Sequence, residues 1–101
     1  MAKRRIGVWF IGAWGGVATT AVVGLLALKR GLTGTTALVS TIPPFDRLDL
    51  VGWDELVLGG HEIRDTTALA EAKVLLEKSH VFQPQLLAQI EPDLAAFDKN
   101  V

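Results

Sequence analysis

The sequence predicts an α/β fold with an open, mainly parallel sheet of about three strands, only partly built, and helices toward its C-terminal end. Three observations predict it. Ile6–Ile11 (IGVWFI) is β-branched and aromatic, which is the composition of a buried strand. A glycine-rich turn over Gly12–Gly16 breaks that run, and the composition then changes to Ala, Val and Leu. Two further short apolar runs, Ala37–Thr41 (ALVST) and Leu56–Leu58 (LVL), lie between turn-forming residues. Strand, glycine turn, helix and strand within roughly 35 residues is the mononucleotide-binding unit of a doubly wound, Rossmann-like fold.

Each element has a local reason. Trp9 in the first strand is expected in the core. Val17–Arg30 reads as a helix, with Lys29 and Arg30 favourable in its last turn and Gly31 as its stop. Ala37–Thr41 is expected as the second strand, closed by Ile42-Pro43-Pro44, and Leu56–Leu58 as the third, ahead of Gly59-Gly60. Asp65-Thr66-Thr67 offers a cap for a helix whose Leu69, Ala72 and Leu76 share one face; His80 stands at its end. Pro84 can open another helix carrying Leu86, Leu87 and Ile90. Glu91-Pro92 should interrupt it, leaving Leu94 and Phe97 to a further turn. So small an open sheet is expected to expose an edge and to leave Leu86, Leu87 and Ile90 without a partner.

Composition narrows the function classes. The chain has 101 residues, half of them hydrophobic and 21% charged, so a packed core is within reach but a complete metabolic enzyme is not expected. The net charge of −1 hides a split: six basic and two acidic residues over 1–50, four basic and nine acidic over 51–101. No dense basic stripe marks a nucleic-acid module. Without cysteine there is no disulfide framework and no thiolate metal site, which favours a reducing, intracellular setting. Residues 6–28 carry no charge and follow Lys3-Arg4-Arg5, so a membrane anchor is the rival reading of the opening stretch. Against it stand Gly7, Gly12, Gly15, Gly16 and Gly24, each weakening a helix by roughly 1 kcal/mol, and the positive charge of Lys29-Arg30 on the far side. A small membrane-anchored protein without enzymatic role stays open as an alternative.

The turn carries the chemistry. A dinucleotide turn needs glycine so that backbone can approach the pyrophosphate, and the helix that follows presents free N–H groups to it. The residues are Gly12-Ala13-Trp14-Gly15-Gly16-Val17-Ala18. Trp14 stands at the middle glycine's place if Gly12 is the first; Ala13, Gly15 and Ala18 restore the spacing as three small positions. The usual acidic residue at the end of the second strand is missing: nothing acidic occurs between Arg5 and Asp46, and Ser40 and Thr41 lie at the expected place. An ordinary glycine turn at a strand–helix junction remains the competing reading. Elsewhere, His61-Glu62 lacks the second histidine of a zinc-protease motif, Asp54-Glu55 reads as a solvated turn pair, and no nucleophile–base pair is visible. Lys3, Lys29, Lys73, Lys78 and Lys99 offer no proton-transfer group.

Several stretches together resemble the N-terminal part of the inositol-3-phosphate synthase family. "IGVWFIGAWGGVATT" is similar to the family's strand followed by G-x-G-G-N-N-G-[ST]-T. "LALKRGL" with the short strand after it, and "LVLGGHEIRDTTALAEA", similar to a strand followed by G-G-W-D-I and a helix, keep the family's order. "FQPQLLAQIEPDLAAFDKN" resembles the helical stretch beyond. Trp14 stands for a glycine, Gly16-Val17 for Asn-Asn, Ala18 for the last glycine and His61-Glu62 for Trp-Asp, which suggests a divergent, bacterial-type branch. The resemblance implies that Gly12, Ala13, Trp14, Gly15, Gly16, Val17 and Ala18 form the phosphate turn around NAD, with Glu62 beside the cofactor. It also implies that residues 1–101 are the N-terminal part of an NAD-binding Rossmann domain in a longer, cytoplasmic, homo-oligomeric enzyme. That enzyme converts glucose 6-phosphate to inositol phosphate by oxidation at C5, aldol closure on C1 and reduction of the ring ketone. Its catalytic lysines and sugar-phosphate pocket lie in later regions. Another NAD-linked oxidoreductase or epimerase sharing this half-fold is the nearer alternative.

Overall fold

The computed structural model describes residues 4–34, 38–80 and 82–101. Strand β1 (Ile6–Ile11) leads into helix α1 (Gly16–Lys29). Three single 3-10 turns, Val39–Thr41, Phe45–Arg47 and Trp53–Glu55, carry the chain to strand β2 (Leu56–His61), and helices α2 (Ala68–Ser79) and α3 (Pro84–Asp98) follow. β1 and β2 pair in parallel, Ile6 opposite Leu56 through Ile11 opposite His61. The expected α/β class with a parallel sheet is borne out. Among the described residues the sheet has two strands rather than three. Val39–Thr41 is a 3-10 turn with Thr41 N–H and its hydroxyl both donating to the Leu38 carbonyl; Ala37 lies outside the described residues. A serine and a threonine that can bond backbone locally compete with a ladder, and here the local bond wins.

The sheet has one covered face. Leu56 and Leu58 are buried, and Val8 and Phe10 pack against the same core, with Phe10 edge-on to Phe97 of α3. That core is completed by Val22, Val23 and Leu26 of α1, Ala68 and Ala72 of α2, and Leu87, Ile90 and Leu94 of α3. Alternation sends Gly7, Trp9, Ile11 and Val57 to the other side. Trp9, expected in the core, is therefore 56% exposed. The apolar face of α3 corrects a second expectation. Leu87 and Ile90 are 3% and 0% exposed, because α1 and α2 fold onto α3 and supply the partner that the sheet does not.

The helix ends follow local chemistry. α1 stops where Gly31 takes φ +67° and the N–H groups of Gly31 and Leu32 reach back to Leu28 and Ala27. Thr67 caps α2 by accepting from Ala70 N–H, and His80 ends it in the left-handed conformation with φ 52°. Pro84 opens α3 as expected. Pro92 does not break it: the ring lies on the exposed side, while Ile90, Leu94 and Phe97 bury the opposite face and outweigh the lost hydrogen bond. α1 has 14 residues, and no helix among the described residues is long and apolar enough to cross a membrane.

One edge of β2 is also covered. The Asn100 carbonyl accepts from Gly60 N–H at 3.1 Å and its side-chain amide donates to the Leu58 carbonyl at 2.9 Å. Those are a donor and an acceptor that a neighbouring strand would engage, so Asn100 covers part of that edge of β2, while the outer edge of β1 has no strand beside it among the described residues.

Candidate functional site

The turn between β1 and α1 sits at the carboxyl ends of both strands, the place where open α/β sheets bind ligands. Gly12 has φ +81°, a conformation that favours glycine, and lets the chain reverse immediately after the strand. The N–H groups of Gly12 and Ala13 both donate to the His61 carbonyl, at 2.9 and 3.0 Å, and fasten the turn to the end of β2. Ala13 is fully buried. It fits because residue 60 is glycine: a Cβ at Gly60 would stand 2.8 Å from the Ala13 Cβ and collide with the Phe10 carbonyl.

Glu62 holds the middle of the turn. Its carboxylate accepts from Trp14 N–H at 2.9 Å, from the N–H groups of Ile63 and Arg64, and from the Arg64 guanidinium at 2.9 and 3.0 Å. The side chain is only 1% exposed. The Trp14 N–H, and after it those of Arg64 and Ile63 with the Arg64 guanidinium, keep the carboxyl below the usual glutamate range against the opposing effect of burial. The Trp14 indole turns away from the turn and donates to Asp98 at 2.9 Å, and Asp98 also accepts from Ala68 N–H. One carboxylate thus ties the turn, the end of α3 and the start of α2 together.

The remaining positions are the helix start. Gly15 is the N-cap and its N–H donates to the Gly12 carbonyl, so no side chain caps α1. Its first turn carries no acidic residue. The N–H groups of Gly16, Val17 and Ala18 therefore have no acceptor within the helix. Val17 is 89% exposed, Gly16 is exposed and Ala18 half-buried. A Cβ at Gly15 would lie 3.2 Å from the Gly12 carbonyl and 3.6 Å from the Arg64 guanidinium.

The structure brings the eight residues singled out from the sequence into one neighbourhood and divides them by task. Gly12, Ala13, Trp14 and Gly15 spend their N–H groups inside the protein; Gly16, Val17 and Ala18 keep theirs. Glu62 lies beneath the turn as its clamp. Sequence reasoning missed Arg64, Asp98 and the hydrogen bond from Trp9 to His61. The pair at 62 and 64 carried a weak signal as opposite charges next to a glycine pair. Asp98 carried none, since it is 84 residues from Trp14. Of the lysines, Lys29 donates to the Leu56 carbonyl at 2.7 Å. Asp54-Glu55 is more than a solvated pair: Glu55 accepts from the backbone and side chain of Arg4 and from Gly52 N–H.

No protein-family model matches the chain. The chain is similar to Inositol-3-phosphate synthase 1 of Bacteroides thetaiotaomicron, at 32% identity over 113 aligned positions. The alignment covers 98% of this chain and 26% of that protein, so the chain spans about a quarter of the relative's length. The resemblance carried by the turn and the Gly59-Gly60 strand is borne out at the level of the whole sequence. Over nearly all its length, this chain is a relative of one part of an inositol-3-phosphate synthase.

Proposed function

We propose that the chain is the NAD-binding part of an inositol-3-phosphate synthase, an isomerase acting on glucose 6-phosphate that is cytoplasmic and homo-oligomeric when complete. The observation that carries the reading is the uncapped start of α1. Three N–H groups, at Gly16, Val17 and Ala18, point out of a glycine N-cap at the strand ends, with the positive end of the helix dipole behind them. A pyrophosphate fits such donors, and the missing Cβ at Gly15 lets it approach. NAD would supply the hydride acceptor and donor for the oxidation and later reduction of the sugar. The chain's own residues bind and orient: Gly12 and Ala13 anchor the turn, Glu62 sets its shape, and Gly16–Ala18 meet the phosphates.

The proton-transfer lysine and the cation clamp on the sugar phosphate belong to other parts of the enzyme in this reading. Calorimetric titration with NAD tests the binding half. The parent chain should bind, and Gly15→Val should lose binding while keeping most of its helical circular dichroism, since its new side chain meets the Gly12 carbonyl and the phosphate path. Unchanged affinity in Gly15→Val would show that the phosphates lie elsewhere. The catalytic half is tested by incubating the chain with NAD and glucose 6-phosphate: no inositol phosphate should form, and turnover would reveal a catalytic group in these residues.

A further inference from the structure

A cleft of about 400 Å³ at the strand ends is lined by Ile11, Gly12, His61, Glu62, Ile63 and Arg64. Its three polar side chains are not equivalent. Glu62 is an acceptor whose capacity is used up: three backbone N–H groups and the Arg64 guanidinium occupy its two oxygens. His61 is constrained from the other side. Its Nδ1 accepts the Trp9 indole N–H at 2.7 Å, with the two rings edge-on at 5.0 Å. An indole N–H can only donate, so Nδ1 bears no proton and the ring proton sits on Nε2. His61 therefore offers a donor and no acceptor. Arg64 spends Nη1 on Glu62 and is 54% exposed; among the described residues its Nε and Nη2 meet no acceptor.

We infer that His61 and Arg64 are ligand-binding residues of this cleft, a donor-only pair that recognises the phosphate oxygens of a nucleoside diphosphate, and that Trp9 positions His61 by fixing its tautomer. The inference rests on the NAD-binding reading and deepens it by naming the side chains that hold the phosphates. Three features converge on an anionic, acceptor-rich ligand. The cleft exposes no unspent acceptor among these side chains. Arg64 offsets the charge of Glu62, so an anion is not repelled by the carboxylate below. Its Nη1 also lies 3.6 Å from where a Gly15 Cβ would be, which puts the guanidinium at the border of the phosphate turn. Glu62, which the family resemblance sets beside the cofactor, acts through the backbone and through Arg64 rather than on the ligand.

The test compares ADP with adenosine, by calorimetry, on the parent chain and on His61→Ala, Arg64→Ala, Arg64→Gln and Trp9→Phe. Both site residues are exposed, so the variants should keep the parent's circular dichroism, and all but Arg64→Ala, which takes the guanidinium from the buried Glu62 carboxylate, should keep its melting temperature. His61→Ala and each Arg64 variant should weaken ADP about tenfold or more, as expected for a charge-assisted hydrogen bond, and leave adenosine unchanged. Should Arg64→Ala loosen the turn, Arg64→Gln keeps a planar polar group over Glu62 and isolates the charge. Long-range ¹H–¹⁵N NMR of His61 should show the Nε2–H tautomer in the parent and a mixture in Trp9→Phe. ADP binding at parental strength in the His61 and Arg64 variants would overturn the assignment while leaving the NAD reading intact. A parent chain that binds neither ADP nor NAD would overturn both. A protonated Nδ1 in the parent would overturn the role given to Trp9.

Discussion

Replacing Gly60 by alanine probes the contact on which the turn depends. The added methyl would stand 2.8 Å from the Ala13 Cβ and 3.1 Å from the Phe10 carbonyl carbon, and would overlap the Phe10 carbonyl oxygen. Neither neighbour can swing aside. Phe10 is the register partner of Gly60 in the ladder, and Ala13 is fully buried with its N–H bound to His61. Overpacking usually costs about 1–3 kcal/mol, and a clash with backbone rather than with a flexible tip belongs at the top of that range, about 3 kcal/mol. A domain of this size loses about 4–8 °C per kcal/mol, so the melting temperature should fall by roughly 12–24 °C. Urea unfolding followed by circular dichroism measures the free energy, and a thermal melt measures the shift. Gly24→Ala is the matched control: beyond its own helix, no atom of the described residues lies within 4 Å of its added methyl, and in mid-helix it should stabilise by about 0.5–1 kcal/mol. A Gly60→Ala chain within 0.5 kcal/mol of the parent, roughly the scatter of harmless surface substitutions, would refute the close seating of Ala13 on β2.

Two further perturbations test the core and the charge pairs. Thr19 is 1% exposed and its hydroxyl has no hydrogen-bond partner among the described residues, so Thr19→Val should stabilise the fold by about 1 kcal/mol; destabilisation in urea would reveal a partner for the hydroxyl. Glu55 is lowered from 4.5 to about 2, first by the Arg4 side-chain hydrogen bond and then by the N–H groups of Gly52 and Arg4. Because its folded value lies below its unfolded one, its contribution is present above about pH 4.5 and is lost as pH falls toward 2. Glu55→Gln should flatten the decline of the urea midpoint across that window, and parallel declines in variant and parent would contradict the pairing.

Much of the fold was legible because it rests on local chemistry. The β-branched run at Ile6–Ile11, the Gly31 stop, the Thr67 cap and the Pro84 start each act within a few residues, and each appears where its chemistry predicts. The departures have two sources, a local side-chain bond in one case and tertiary context in the others. The 39–41 segment turns because the Thr41 hydroxyl bonds the Leu38 carbonyl, Pro92 is tolerated because its neighbours bury the far side of α3, and Trp9 faces outward because all three helices choose the opposite face of the sheet. The candidate site was legible as a turn, since glycine at Gly12 and Gly15 answers a backbone need. Its internal wiring was not. The Gly12 and Ala13 N–H groups are spent on His61, that of Trp14 on Glu62, and the orientation of the Trp14 indole depends on Asp98; none of these contacts is encoded in spacing along the chain.

The central claim is that the start of α1 holds the phosphates of NAD, and amide chemical shifts report on it directly. In a titration of the ¹⁵N-labelled chain with NAD, the largest saturable shifts should fall on the Gly16, Val17 and Ala18 amides. The amides of Gly12, Ala13 and Trp14, already engaged with His61 and Glu62, should move little. Saturable shifts confined to other residues, or none at the start of α1, would contradict the account.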